Sequence, residues 1–347
     1  MTPLGRLKPW LSVALGLAFV GLGVWYVGAY WEDFAILGRL GTATLLEILG
    51  TVLVYLALGG YLLDTFLRRY GVALPWYRWF GLYVTMTVGN ILTPVRGGTG
   101  MAAIYLRSAH GLSLSRYAMV LLGTYIGGAI INAATALVGM GISYWTSGWF
   151  NAIVVVAAVV VLAGGLVTLF IPNLRPSARW GWTYVVRAVN GWHELVRDRR
   201  LLGKVLGISV VMNLVHVGTY WLTYRGLGLP VSPEAVLTIV SMGNIASMIS
   251  LTPASLGPYD VVLVSLPTTF GLTGPEAMAA LLVMRAAHLA VTFALAGMLG
   301  FTLRTRGGVA PPDSGPLRQD PDRRTPPSGA GGPACPPVEV PPGRPPR

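Results

Sequence analysis

The chain is 347 residues long, 54% hydrophobic and only 11% charged, with 25 Lys and Arg against 13 Asp and Glu. A soluble domain carries about 25% charged residues, so this balance excludes an ordinary soluble fold and indicates an integral membrane protein with several spans. Basic excess in such a chain marks cytoplasmic loops rather than a nucleic-acid surface, and a lone cysteine, Cys335, excludes an internal disulfide.

In chain order, Arg6 and Lys8 precede an apolar run from about Trp10 to Tyr30. The run is too long for a signal-peptide core and no clear cleavage site follows, so it reads as an uncleaved first span. Glu32 and Asp33 separate it from a second span, about Leu40 to Leu67, which ends at Arg68 and Arg69. The segment from Phe80 to His110 is different. Its first apolar arm, Phe80 to Thr93, is about 20 Å long as a helix, against a hydrocarbon core of about 30 Å. Pro94 and the Gly97-Gly98 pair interrupt it, because proline disfavours a helical residue before it and glycine tolerates sharp turns. A second short arm, about Thr99 to His110, follows, and the two read as a re-entrant helical hairpin. Span three covers about Tyr117 to Tyr144, with a Gly123-x-x-x-Gly127 packing motif, and span four about Ala152 to Ile171. A basic loop, 172–204, carries an expected interfacial helix around Trp180 to Leu195. Span five covers about Val205 to Tyr224. A second hairpin, residues 236–270, is broken at Pro253 and Gly257, and span six runs from about Pro275 to Leu303. The expected domains are therefore a transmembrane domain, 1–303, and a Pro-, Gly- and Arg-rich tail, 304–347, whose composition is that of a disordered segment.

The two hairpins share sequence. Leu92-Thr93-Pro94 recurs as Leu251-Thr252-Pro253, each with a Gly four residues after the Pro, and Gly111-Leu112-Ser113 recurs as Gly271-Leu272-Thr273. With the N-terminus inside, twenty-one of the 25 Lys and Arg fall in inside segments and two, Arg39 and Arg225, fall outside. That satisfies the positive-inside rule and puts both termini in the cytoplasm. It also makes the two hairpin units an inverted repeat entering from opposite faces, as in transporters. The fold class expected is all-α: a polytopic helical membrane protein of about six spans with two re-entrant hairpins.

Few residues in this plan carry chemistry. Arg96 stands at the first hairpin tip beside Gly97 and Gly98, where a guanidinium and a helix start form a candidate anion site for a lipid phosphate. Asp260 begins the outgoing arm of the second hairpin and is a helix-terminus partner, a proton or cation site, or a charged partner of Arg285, an arginine deep in span six that needs a partner or water. Glu47 is the other acid within reach of Arg285. Glu47, His216 and His288 are candidate coupling groups, and Asn90, Asn132, Asn213 and Asn244 are expected to bond across helices. Asp64 and Arg68 fit an i,i+4 structural pair. The sequence shows no nucleophile–base set, no metal-ligand spacing, no phosphate-binding P-loop and no cofactor motif, so neither catalysis nor a metal is expected.

Pro94-Val95-Arg96-Gly97-Gly98, with Tyr105-Leu106-Arg107 and His110-Gly111-Leu112-Ser113 after it, resembles the first signature of the lysylphosphatidylglycerol synthase transmembrane-region (flippase-like domain) family. Thr252 to Asp260 resembles the second signature, and Arg285 matches an arginine of the last span. The chain departs from the family at Ala102, where an Arg is usual, at Thr99 and Asp260, where Glu is usual, and at Ala254-Ser255, which stand for a Gly pair. The resemblance implies lipid translocation, as in the bifunctional members, and the expected location is a bacterial-type cytoplasmic (inner) membrane. In the bifunctional members a separate cytosolic domain synthesises the aminoacyl lipid; this chain carries none, so it is not expected to make that lipid alone. The expected function is movement of a phosphate-containing, polar-headed lipid or polyprenyl-linked precursor between leaflets, with membrane lipids (anionic or aminoacylated) and a separate synthase as partners. The alternative is a non-transporting membrane anchor for a lipid-modifying synthase or glycosyltransferase.

Overall fold

The computed structural model describes residues 31–93, 96–170, 197–248 and 257–299, together with Gly21, Trp25, Gly28 and Ala29. The rest of the first span, both hairpin tips with Pro94 and Pro253, most of the basic loop with its expected interfacial helix, and the tail lie outside the described residues. Among the described residues every regular element is helical. After a 3-10 helix, Trp31–Arg39, come α1 (Thr42–Arg69), α2 (Trp76–Leu92), α3 (Gly97–His110), α4 (Leu114–Ser147), α5 (Ala152–Phe170), α6 (Arg199–Gly226), α7 (Pro233–Ser247), α8 (Pro258–Thr268) and α9 (Gly274–Leu299). Helices α1, α4, α6 and α9 are long and apolar enough to cross a bilayer. They correspond to expected spans two, three, five and six. Expected span four corresponds to α5, a shorter apolar helix whose 19 residues carry no charge. The protein is thus an all-helical membrane protein.

The two interrupted segments fold as helix pairs, α2 with α3 and α7 with α8. Their arms have 17, 14, 15 and 11 residues. At ~1.5 Å per residue each arm is about 16–25 Å long and falls short of the ~30 Å hydrocarbon core. The repeated Gly-Leu-Ser/Thr triplet does the same work twice. Gly111 (φ +66°) and Gly271 (φ +91°) take left-handed backbone that a side chain disfavours and turn the chain out of the arm. Leu112 and Leu272 are buried as plugs. Ser113 then accepts from the Arg116 N–H at 3.4 Å, and Thr273 Oγ1 accepts from the Glu276 N–H at 3.4 Å, capping α4 and α9. Ser232, followed by Pro233 at the first helical position, starts α7 by the same logic.

Packing follows the repeat. Helix α1 packs on α6, α4 on α7 and α2 on α9; α4 also meets α6, and α1 meets α9. Exchanging α1–α4 for α6–α9 leaves this set of neighbours unchanged. Two apolar clusters hold the assembly together. One gathers Ile48, Leu56, Tyr220, Val236, Ile239 and Met284; the other gathers Phe66, Leu82, Leu106, Tyr117, Val120 and Val205. The tightest approach of α4 is at Gly139, where an added Cβ would run into the Glu234 carbonyl oxygen and Thr238 of α7. At Gly127 of the expected Gly123-x-x-x-Gly127 motif the approach is looser: a Cβ there would find only Val205 Cγ1, at 3.7 Å. Gly139 lies at the densest interface, where backbones must approach for van der Waals contact, the main attraction between helices in lipid.

Candidate functional site

A cavity of about 430 Å³ opens among α1, both hairpins and the long helices α4, α6 and α9. Both apolar clusters reach its wall, through Leu56 and Met284 on one side and Leu62 and Val120 on the other. Set into this apolar wall are Arg96 and Arg285, and the lining contains no carboxylate among the described residues.

Arg96 immediately precedes α3 with φ +55° and ψ +49°, the one non-glycine residue with positive φ among those described. Left-handed backbone costs a side-chain-bearing residue roughly 1–3 kcal/mol and gathers at functional sites. Here it aims the guanidinium across the cavity. Nη1 donates to the Tyr125 hydroxyl of α4, Nη2 donates to the Ser247 carbonyl at 2.7 Å, and the charge sits 4.9 Å from the centre of the Tyr125 ring. All three partners are neutral. Gly97 and Gly98 do not line the cavity as an anion nest. Gly98 is buried against the backbone of Met86, Gly89 and Asn90, and a Cβ on Gly97 would meet Thr93. The Thr99 N–H is taken by Asn90 Oδ1 at 2.9 Å, so Asn90 on the incoming arm caps the outgoing one. The glycine pair is there to let the two arms touch.

Asp260 pairs with Arg285 and also closes a helix terminus. Its Oδ2 accepts from the Gly257 N–H at 3.0 Å, closing the start of α8, while Oδ1 accepts from Arg285 Nε at 2.8 Å and from Nη2. Gly257 takes φ +115°, a conformation only glycine adopts readily, so the expected break is where the chain turns. The Asp260 side chain is 5% exposed and that of Arg285 23%. Arg285 also stands over the Tyr259 ring, 5.8 Å from its centre. Glu47 is not part of this group: it sits on the exposed face of α1, outside the cavity lining.

His216 and His288 both line the cavity, on either side of Tyr55, with ring centroids 4.9 and 6.2 Å from it. The Tyr220 and Tyr259 hydroxyls hydrogen-bond at 2.9 Å, and Tyr83 and Tyr125 complete a wall of five tyrosines. Sequence reading missed these tyrosines. The signal was available: tyrosine normally gathers at membrane interfaces, and these stand within or beside membrane-depth helices.

The four asparagines do bond across helices. Asn244 Nδ2 donates to Asn132 Oδ1 at 3.0 Å and to Asn213 Oδ1 at 3.3 Å; Asn213 donates to Thr135 Oγ1 at 2.8 Å. This ties α7 to α4 and α6 beside the cavity. Interhelical hydrogen bonds within a membrane contribute about 0.6 kcal/mol each, with a maximum near 1.7. Asn244→Leu removes two and strands two acceptors, so thermal unfolding in detergent is expected to report a loss of about 1–2 kcal/mol.

The sequence profile of the family described as lysylphosphatidylglycerol synthase TM region matches residues 12–296. The chain belongs to that family. A search of curated proteins found no match. The lysylphosphatidylglycerol synthase TM region therefore contains α1 through α8, nearly all of α9 and every residue of the cavity wall. Ala102 is 2% exposed and belongs to the same apolar cluster as Leu82 and Leu106.

Proposed function

We propose that this protein moves a phosphate-bearing, polar-headed lipid between the leaflets of a bacterial cytoplasmic membrane, and that the cavity under Arg96 carries the headgroup. The observation behind this reading is a guanidinium held at membrane depth with only neutral partners. Intramembrane arginines are rare because they need a partner, and a phosphate passing through would be that partner. The charge distribution of the loops supports cytoplasmic termini. Arms too short to cross, in a neighbour pattern that repeats after exchange of the halves, support two re-entrant hairpins in an inverted repeat.

In this mechanism Arg96 and Arg285 hold the phosphate in turn. With the cavity empty, Asp260 holds Arg285. An arriving phosphate competes with Asp260 for the guanidinium, and the released carboxylate keeps its Gly257 N–H bond at the start of α8. Loosening α8 of the second hairpin while Arg96 ties the first hairpin to α4 and to the end of α7 gives access from alternate faces. The work done is binding and release, so no covalent step is required.

The test is leaflet exchange of fluorescent phosphatidylglycerol in proteoliposomes. Exchange clearly faster than in protein-free liposomes is expected. Exchange no faster than background, across several phosphate headgroups, would contradict the reading and favour a membrane anchor for a separate synthase.

A further inference from the structure

We propose that the base of the first hairpin is a second headgroup site, where Arg78, Arg107 and His110 hold the phosphate of an anionic lipid of the leaflet on that side before the lipid enters the cavity. The loading role rests on the transport reading; the binding does not.

The two arms touch at the tip, through Gly98, and their other ends form the base, where α2 starts and α3 stops. Arg78 in the first turn of α2 is exposed, Arg107 in the last turn of α3 is exposed, and His110 closes α3 half-buried. Burial, and then the nearby charge of Arg78, hold the His110 imidazole below its ordinary pKa. His110 Nε2 is buried with no hydrogen-bond partner among the described residues. The described acids at this end of the helices are engaged elsewhere: Asp64 holds Arg68 at 2.6 Å, and Asp198 holds Arg69 at 3.5 Å. Arg78 and Arg107 have no ion-pair partner among the described residues. Two guanidiniums and an unmet imidazole nitrogen at one place, with no carboxylate between them, complement a phosphate.

The surroundings of the base make the anion a lipid's. Trp76, 67% exposed, and the exposed Tyr77 stand beside Arg78, and such rings at the end of a membrane helix sit at headgroup level. On α3 the exposed Met101 and Ile104 lead at three-residue steps to Arg107, outside the cavity lining. An arginine at the end of an apolar stripe keeps its charge among headgroups. A soluble anion would use the cations and leave the stripe uncovered, whereas a lipid uses both, with its phosphate at Arg107 and an acyl chain along Ile104 and Met101. The same helix leads to the cavity: Arg107 and Arg96 stand at its opposite ends, roughly 16 Å apart along the axis.

The test is a thermal-unfolding titration of the full chain in detergent with phosphatidylglycerol, phosphatidylcholine and soluble glycerophosphoglycerol, in an Arg96→Gln background that removes the unpaired guanidinium of the cavity. Midpoints without lipid check folding. Phosphatidylglycerol is expected to raise the midpoint and phosphatidylcholine is not. A cation at a lipid surface strengthens attachment roughly fivefold, so adding Arg78→Gln with Arg107→Gln is expected to raise the half-saturating mole fraction at least about tenfold. Arg199→Gln with Arg200→Gln removes the same charge from exposed positions of α6 and is expected to change it less than about threefold. Equal losses in the two pairs would mean diffuse charge of the whole face, and overturn the site, as would no response to phosphatidylglycerol. Equal stabilisation by glycerophosphoglycerol at the same concentration overturns the lipid assignment. In proteoliposomes with Arg96 intact, Arg78→Gln with Arg107→Gln is expected to raise the phosphatidylglycerol fraction that half-saturates exchange and to keep the maximal rate; an unchanged half-saturation overturns the loading role. Binding at the base with no exchange in the wild type overturns the transport reading and leaves the lipid site standing.

Discussion

Asp260→Ala is expected to destabilise the purified protein by about 3–5 kcal/mol, the largest effect of any single substitution considered, because it leaves the Arg285 guanidinium in an apolar wall without its carboxylate. It also removes the acceptor for the Gly257 N–H, which is half-buried at the start of α8. Asp260→Asn keeps one acceptor oxygen, which serves either the Gly257 N–H or Arg285 while its NH2 faces the other donor, so its loss is expected to be smaller than that of Asp260→Ala but still substantial. Removing both charges, as Asp260→Ala with Arg285→Met, is expected to restore most of the stability, since a buried pair adds little over a well-packed apolar pair. Lipid exchange is expected to stay low in the double variant. Thermal unfolding and exchange measured on the same preparations separate the two roles. A pair that only holds the fold would regain exchange together with stability.

The second large effect is expected at Gly98. An added Cβ there meets the Met86 carbonyl oxygen, the Asn90 nitrogen and the Gly89 carbonyl carbon, all backbone atoms that no rotamer change can move. Gly98→Val therefore forces the arms of the first hairpin apart. The overpacking alone costs roughly 1–3 kcal/mol, and the bond from the Thr99 N–H to Asn90 Oδ1 is lost with it. Gly100 is the control, because a Cβ there has nothing within 4 Å. Gly100→Ala is expected to be neutral, or stabilising by about 0.5–1 kcal/mol through helix propensity. Thermal unfolding of the two variants, measured side by side, checks the contrast; a Gly98→Val protein as stable as Gly100→Ala would contradict the close approach of the two arms.

The parts of this account legible in the sequence are those fixed by local rules. Arm length, Pro and Gly breaks and the repeated Gly-Leu-Ser/Thr triplet all act within a few residues, and the hairpin pairs and their caps follow from them. The Asp64–Arg68 pair was legible for the same reason, being one helical turn apart. Contacts set by tertiary packing were not. Arg96 reaches Tyr125 and Ser247, which are 29 and 151 residues away in the chain. Glu47 and Asp260 were equivalent partners for Arg285 on paper; which one faces it depends on the rotation of α1, a phase that its nearly uniform apolar composition does not reveal. Gly97-Gly98 had two physical uses, backbone approach to an anion or to another helix, and the sequence does not distinguish them. The structure uses Gly98 for the second.

The site depends on one guanidinium whose fixed partners are all neutral, so the most direct measurement is phosphatidylglycerol exchange by Arg96→Gln, with Arg96→Lys and wild type reconstituted at equal density. A charged hydrogen bond contributes about 1.5–3 kcal/mol, so the account predicts that Arg96→Gln falls roughly ten- to a hundred-fold while folding normally, and that Arg96→Lys, which keeps the charge and loses the planar fork, lies between. Wild-type exchange in a well-folded Arg96→Gln protein would contradict the assignment of the headgroup to this cavity.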